Sequence, residues 1–378
     1  MPTVDGHPEL SICHPADPII GAELVPRALT VLKPYLPTAL PLYRRLQFGK
    51  FLNSSCFITN FGHDDIVRYQ HDRNDFIGAE AATDGSNSEG GFKPYVFAFI
   101  DRSVRPETEV WFFASWEHDP PPATDTKAWH RIDAIVLDLL GAIKDFPVPE
   151  SIHQQRSALN GLPSPSNPTT ATDKDADTAG FSRNDYGGHL SNQNIMLWGA
   201  VHERTVPIFQ RLGVLSLDFK TSLAPNFTFL FNLDTLHSPR PLPEGLMWGE
   251  VKPCHFSLVR SRTQIPRQDR TLAILPSLAI YPRGGEGSDP IAWAFIGLDT
   301  SLTSLHVEPG WRGKGLAKAI TTKILREHVV GFSEDGTERL ALGYVIVGNK
   351  ASEGMCRSLG GRSKWECYWA RVDLGKVG

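Results

Sequence analysis

Residues 302–325, LTSLHVEPGWRGKGLAKAITTKIL, constrain the fold of this chain more than any other stretch. The run 302–307 is apolar and reads as a strand, and Pro309, which has no N–H to donate, stops its ladder. Gly310-Trp311-Arg312-Gly313-Lys314-Gly315 follows as a glycine-bearing turn. Apolar residues then recur at Leu316, Ala317, Ile320, Ile324 and Leu325, which is helical spacing. The reading is strand, glycine turn, helix, with Arg312 and Lys314 beside the helix start.

A helix start of this kind suits an anion. First-turn N–H groups have no internal partner, the helix dipole adds partial positive charge, and glycines let a phosphate approach the backbone. Three ligand classes use such a turn. A Walker A loop needs Ser or Thr after Gly-Lys, and Gly315 follows Lys314 here. A dinucleotide fingerprint needs a third glycine where Lys318 stands, inside a βαβ unit. The strand before this turn reads instead as half of a hairpin with 291–298, closed by Asp299-Thr300-Ser301. The third class is the pyrophosphate of coenzyme A.

The rest of the composition narrows the setting. The chain has 378 residues, enough for two domains, and a net charge of -4, which gives no field for nucleic acid or an acidic membrane surface. Cys13, Cys56, Cys254, Cys356 and Cys367 are odd in number and widely spaced, with no CxxC pair to signal zinc or a disulfide framework. No apolar run approaches the roughly 18–20 residues of a membrane span, and the N-terminus has no secretory pattern. The expected setting is cytoplasmic, with no membrane or nucleic-acid partner; oligomeric state stays open. His63-Asp64-Asp65 and His71-Asp72 read as polar surface rather than a metal site.

In chain order, residues 1–24 lack periodicity and 27–51 read as short helices broken by Pro34, Pro37 and Pro41. Strands are expected at 54–60, 95–100 and 109–116, the last two as a hairpin, and 78–91 as a loop. Residues 126–146 form the clearest helix, with a core stripe of Trp129, Ile132, Val136, Leu139, Leu140 and Ile143 and a stop at Pro147. Residues 157–185, rich in Ser, Pro, Thr and Asp, read as a mobile insertion. A short helix at 205–213 and a strand at 227–233 precede a proline-rich linker at 236–245. The domains are therefore 1–235 and 246–378. In the second, 255–261 reads as helix or turn, 272–281 and 339–347 as strands, 351–359 as a helix stopped by Gly360-Gly361, and 366–372 as the last strand.

Arg312-Gly313-Lys314-Gly315-Leu316-Ala317 resembles the Arg/Gln-x-x-Gly-x-Gly/Ala loop of the GNAT acyl-CoA N-acyltransferase superfamily. Asn349, Ser352, Leu359 and Gly360 match a second element of that family, and Cys356 departs from it by standing where a tyrosine acid is common. The resemblance covers about residues 246–372. A fainter echo, Val206-Pro207-Ile208-Phe209-Gln210-Arg211-Leu212-Gly213 before a strand, suggests a degenerate N-terminal copy without the coenzyme loop. The layout is similar to glycine N-acyltransferase-like members. The implied fold class is α/β, a GNAT fold with a mixed central sheet flanked by helices, in two tandem domains.

The resemblance implies direct attack of a small-molecule amine on acetyl-CoA or another acyl-CoA, with no acyl-enzyme and no metal. Backbone N–H near Leu305, His306 and Val307 would polarise the thioester, and such donors are worth ~3 kcal/mol each. Residues 312–317 would hold the pyrophosphate, and Asn349 and Ser352 the pantetheine side. His306, with an unperturbed pKa of ~6.5, suits the general base, with Ser304 on its face by strand alternation and Glu308 as the second candidate. Cys356 is the candidate proton donor to the leaving thiolate. Competing readings are a GNAT-shaped protein that binds coenzyme A without turnover, a fold reused for another reaction, and a nicotinamide enzyme.

Overall fold

Two stretches of the chain repeat one plan. The first runs β1 (Ser11–Cys13), α1 (Pro18–Leu32), α2 (Leu40–Phe48), β2 (Cys56–Thr59), β3 (Val96–Ile100), β4 (Val110–Ala114), the turn α3 (Ser115–His118), α4 (Thr126–Lys144), the turn α5 (Arg183–Gly187), β5 (Ile195–His202), α6 (Val206–Arg211) and β6 (Leu223–Asn232). The second runs β7 (Leu246–Gly249), α7 (Phe256–Ser261), α8 (Asp269–Leu272), β8 (Ser277–Pro282), β9 (Ala292–Ile296), β10 (Ser301–Val307), α9 (Leu316–His328), β11 (Leu340–Ile346), α10 (Lys350–Ser358) and β12 (Arg362–Asp373). This computed structural model describes residues 10–61, 92–146, 149–150, 183–284, 288–332 and 338–378.

The two plans share one mixed sheet of twelve strands, ordered β1-β2-β3-β4-β5-β12-β6-β11-β10-β9-β8-β7. The order is symmetric about its centre, where each half has handed its last strand to the other. β12 pairs antiparallel with β5, β6 pairs antiparallel with β11, and β12 and β6 pair with each other. The parallel pairs are β4–β5 and β10–β11. Each is in register over two positions, Val110↔Trp198 and Trp111↔Gly199 in one, Ser301↔Leu342 and Leu302↔Gly343 in the other. Beyond those positions the strands diverge and leave a V-shaped opening.

Local chemistry repeats too. Asp101 closes the β3–β4 turn by accepting from the N–H and hydroxyl of Ser103, and Asp299 closes the β9–β10 turn by accepting from the N–H and hydroxyl of Ser301. Helices cover both faces of the sheet. Along β3, Val96, Ala98 and Ile100 join the core under α4, while Phe97 and Phe99 join the core under α1 and α2, the alternation a strand imposes. α9 packs its Leu316, Ile320, Ile324 and Leu325 on the second half's strands, and Trp293 and Phe295 face the cluster built around α7.

The mixed sheet, the 95–116 hairpin and the helices at 126–146 and 316–325 are as the sequence reading has them. β1, β5 and β7 are strands that it lacks. Residues 272–276 are not strand: α8 ends at Leu272 and β8 begins at Ser277. The loop at 78–91, the His63 and His71 clusters and most of the insertion (157–182) lie outside the described residues. Arg183–Gly187 is a helical turn, and its Tyr186 accepts through the carbonyl from Arg371 at 2.7 Å. No helix among the described residues is long and apolar enough to cross a membrane.

The strand exchange makes each half incomplete alone. Residues 1–245 expressed without the rest should give no cooperative thermal transition, and co-expression with 246–378 should restore one. A cooperative transition in the isolated first half would show that β12 is dispensable to it.

Candidate active site

The site grows out of an irregularity in β10. Against β9 the register runs Thr303↔Phe295 and then His306↔Trp293, so three steps on β10 span two on β9. Ser304 takes a positive φ of 51°. This is a β-bulge at the mouth of the β10–β11 opening, and it takes Ser304 and Leu305 out of the β9 ladder. It also corrects the expectation that Ser304 shares a face with His306 by simple alternation. Arg267 holds the bulge, donating to Thr303 Oγ1 at 2.7 Å and to Ser304 Oγ at 3.3 Å.

His306 follows the bulge. It is 9% exposed, and its ring stacks on buried Trp293 with centroids 4.7 Å apart. Its Nε2 lies 3.8 Å from Glu308 Oε1, and Arg262 Nε donates to that same carboxylate oxygen at 2.9 Å. An imidazole so placed has its orientation fixed by the indole and a carboxylate ready to stabilise the protonated ring.

The start of α9 forms an open cradle. Gly313 and Gly315 have φ of 77° and 80°, a conformation that favours glycine, and no atom lies within 4 Å of where a Cβ would sit on either. Gly315 is the N-cap and brings no side-chain acceptor to the helix's first-turn amides. Arg312 Nε donates to Val307 O at 3.0 Å, and Lys314 Nζ lies 4.3 Å from the Trp311 ring centroid. The turn thus presents open amides, two glycines and two cations, which fits a pyrophosphate.

Across the opening, Asn349 is buried and its Oδ1 accepts from Ser352 N at 3.0 Å, so it caps α10. Cys356 on the same helix is 2% exposed, and burial pushes its thiol up to about 12. A thiol raised that far is a poorer acid than a free one, the reverse of what a proton donor to a thiolate needs.

A cavity of about 560 Å³ lies between the halves, and its lining includes Leu305, His306, Asn349, Ser352 and Cys356. Val307 and Arg312, Gly313, Lys314, Gly315, Leu316 and Ala317 are not part of that lining; they sit at the outer end of β10 and the start of α9. Glu107, Thr108, Arg262, Arg267 and Trp369 line the cavity without having been singled out from sequence, and so does Trp111, which the sequence reads as core by default. The one signal was the run of arginines at 260, 262, 267 and 270.

The family described as the acyl-CoA N-acyltransferase verG N-terminal domain matches residues 18–264, and FR47-like protein matches residues 280–370. The chain belongs to the acyl-CoA N-acyltransferases of the GNAT superfamily. No curated protein matches it in sequence. An X-ray structure of a Drosophila protein superposes with a TM-score of 0.53 at 12% identity, covering 96% of this chain and 98% of that one. A tandem GNAT protein from the clavulanic acid biosynthesis pathway matches at 9% identity and a TM-score of 0.40, covering 97% and 99%. A GCN5-related N-acetyltransferase from Sphaerobacter thermophilus matches at 11% identity and a TM-score of 0.38, covering 97% and 96%.

The first half differs from the second at the places that build this site. The β3–β4 register is unbroken, so β4 has no bulge. α3 stands where β10 has its glycine turn. Asp125 caps α4 by accepting from Ala128 N, which puts a carboxylate on the amides a phosphate would use. Trp116 Nε1 donates to Thr205 Oγ1 at 3.1 Å, and that hydroxyl donates to Glu117 at 2.5 Å.

Burial pushes the Glu117 carboxyl up to about 8, with the Thr205 hydrogen bond opposing. A carboxyl raised above its ordinary 4.5 binds its proton more tightly in the folded state. Its stabilisation is complete below about 4.5 and is lost as pH rises through about 8. Urea unfolding should therefore show stability falling between pH 5 and pH 9, and Glu117→Gln should flatten that slope. An unchanged slope in the variant would place the proton elsewhere.

Proposed function

We propose that this chain transfers an acyl group, acetyl in the first instance, from acyl-CoA to the amine of a small molecule by direct attack in a ternary complex. The observation that carries the reading is the sequence of bulge, His306 and open glycine turn along the diverging edge of β10. Amides of residues 312–317 and the Arg312 and Lys314 cations hold the pyrophosphate. Leu305, His306 and Val307 lie beyond the last β10–β11 register position, and the N–H groups of this stretch that point away from β9 polarise the thioester carbonyl. Donors fixed before reaction need no reorganisation as charge develops on that oxygen.

His306 is the general base. The acceptor arrives as an ammonium, loses a proton to the imidazole, and attacks the carbonyl carbon; the C–S bond then breaks and the thiolate leaves. Glu308, steadied by Arg262, stabilises the imidazolium. The proton required by the thiolate comes from the attacking nitrogen, directly or through His306. Cys356 keeps its own proton and packs beside Asn349 and Ser352 along the pantetheine side. We divide the chain at 236–245 and place the enzyme in the cytoplasm, in keeping with its free cysteines.

A second reading, binding of coenzyme A without turnover, draws on Cys356, whose raised pKa leaves the tyrosine's usual place without a good acid. Turnover separates the two.

Saturating acetyl-CoA at ~100 times its dissociation constant should stabilise the protein by about 2.7 kcal/mol, and Gly315→Glu should abolish that shift. No shift in wild type would sink both readings. His306→Gln should lower kcat by about 10²–10⁴-fold and remove the acidic limb of its pH profile while leaving acyl-CoA binding intact. If His306→Gln kept wild-type kcat, the base would be another group.

A further inference from the structure

We propose that the cavity wall supplied by the first half and β12 seats the acceptor, and that the acceptor is an amine built on an aromatic scaffold, well beyond a free amino acid in size. The proposal rests on the acyltransferase reading above. The cavity's volume of about 560 Å³ lies within the ~300–1,000 Å³ of sites that take drug-sized ligands. An acyl-pantetheine arm entering at the diverging strands makes its contacts on β10 and α10. The opposite wall, with Glu107, Thr108, Trp111, Trp369 and Arg371, belongs to none of the acyl-CoA elements.

That wall is aromatic and held in place. Trp369 Nε1 donates to Thr108 Oγ1 at 3.0 Å, and Tyr344 meets the same indole edge-on, with centroids 5.0 Å apart. Thr108 has room there because position 199 is glycine: a Cβ on Gly199 would fall 2.5 Å from Thr108 Cγ2. With its N–H satisfied and its plane set, Trp369 is a ready stacking partner, and Trp111 on β4 also lines the cavity. A platform ordered before binding loses little entropy when a ring stacks on it. Glu107 and Arg371 are buried in this wall to 8% and 1% exposure. Gln268 N donates to Glu107, and Arg371 donates to the carbonyls of Thr221 and Tyr186, so both are satisfied within the protein and the aromatic faces are what the wall offers a ligand. Glycine would leave most of the volume to water.

The test is calorimetric titration of the full chain saturated with coenzyme A, using tryptamine and glycine as probes. Tryptamine should bind at least tenfold more tightly than glycine. Trp369→Leu should remove that preference, and Thr108→Val, which keeps the residue's shape but breaks the indole hydrogen bond, should reduce it several-fold. The coenzyme A thermal shift should be the same in all three proteins. The proposal fails if glycine binds as tightly as tryptamine, if both variants keep the preference, or if octanoyl-CoA in place of coenzyme A excludes tryptamine, which would give this wall to the acyl chain. Absence of any coenzyme A shift is read before an amine is added and overturns the acyltransferase reading itself.

Discussion

The exchange of β6 and β12 between the halves is the constraint on which the rest depends. Each strand is hydrogen-bonded on both sides, and each stands beside the other half's diverging pair. β6 completes the second half next to β11, so the β10–β11 opening forms against a strand from the first half. β12 carries Trp369 and Arg371 to the first half's side of the cavity. A cavity between two loosely linked domains would shift with their motion; here its first-half wall and β10 belong to one continuous sheet.

Within that frame, a single extra residue in β10 distinguishes the second half from the first. The first half has the same hairpin, the same aspartate-closed turn and the same two-position parallel register, yet its β4 runs straight and its helix begins at an aspartate. The bulge frees backbone on β10 and carries His306 over Trp293 beside Glu308. The first half keeps a structural role: its strands and the turn at 102–107 form the far wall of the cavity, where Gln268 donates to Glu107 and to the carbonyls of Val104 and Arg105.

Much of this was legible in the residues. Residues 302–325 announced strand, turn and helix because proline, paired glycines and a 3.6-residue repeat are local signals. Asn349 and Gly360 marked the ends of α10 for the same reason, one as a cap and the other at φ of 80°. β5 went unread because Ile195–His202 is buried at every position and shows no alternation. β7 is four residues at the sheet's edge, too short to carry a pattern. Ser304 misled because strand periodicity assumes an unbroken ladder. The burial of Cys356, on which its acidity depends, is likewise something no spacing reports.

By itself the sequence determined the parts that are written in local chemistry: the glycine turn with open amides, the helix ends, the family motif and the α/β class. Tertiary structure alone decided the strand exchange, the β10 bulge, the pairing of His306 with Trp293 and Glu308, and the wall of Trp111 and Trp369. Those features join residues far apart in the chain, such as Thr108 with Trp369 and Arg262 with Glu308. Their energies come from contacts across the sheet, and a linear order of residue types does not say which distant strand will lie beside which.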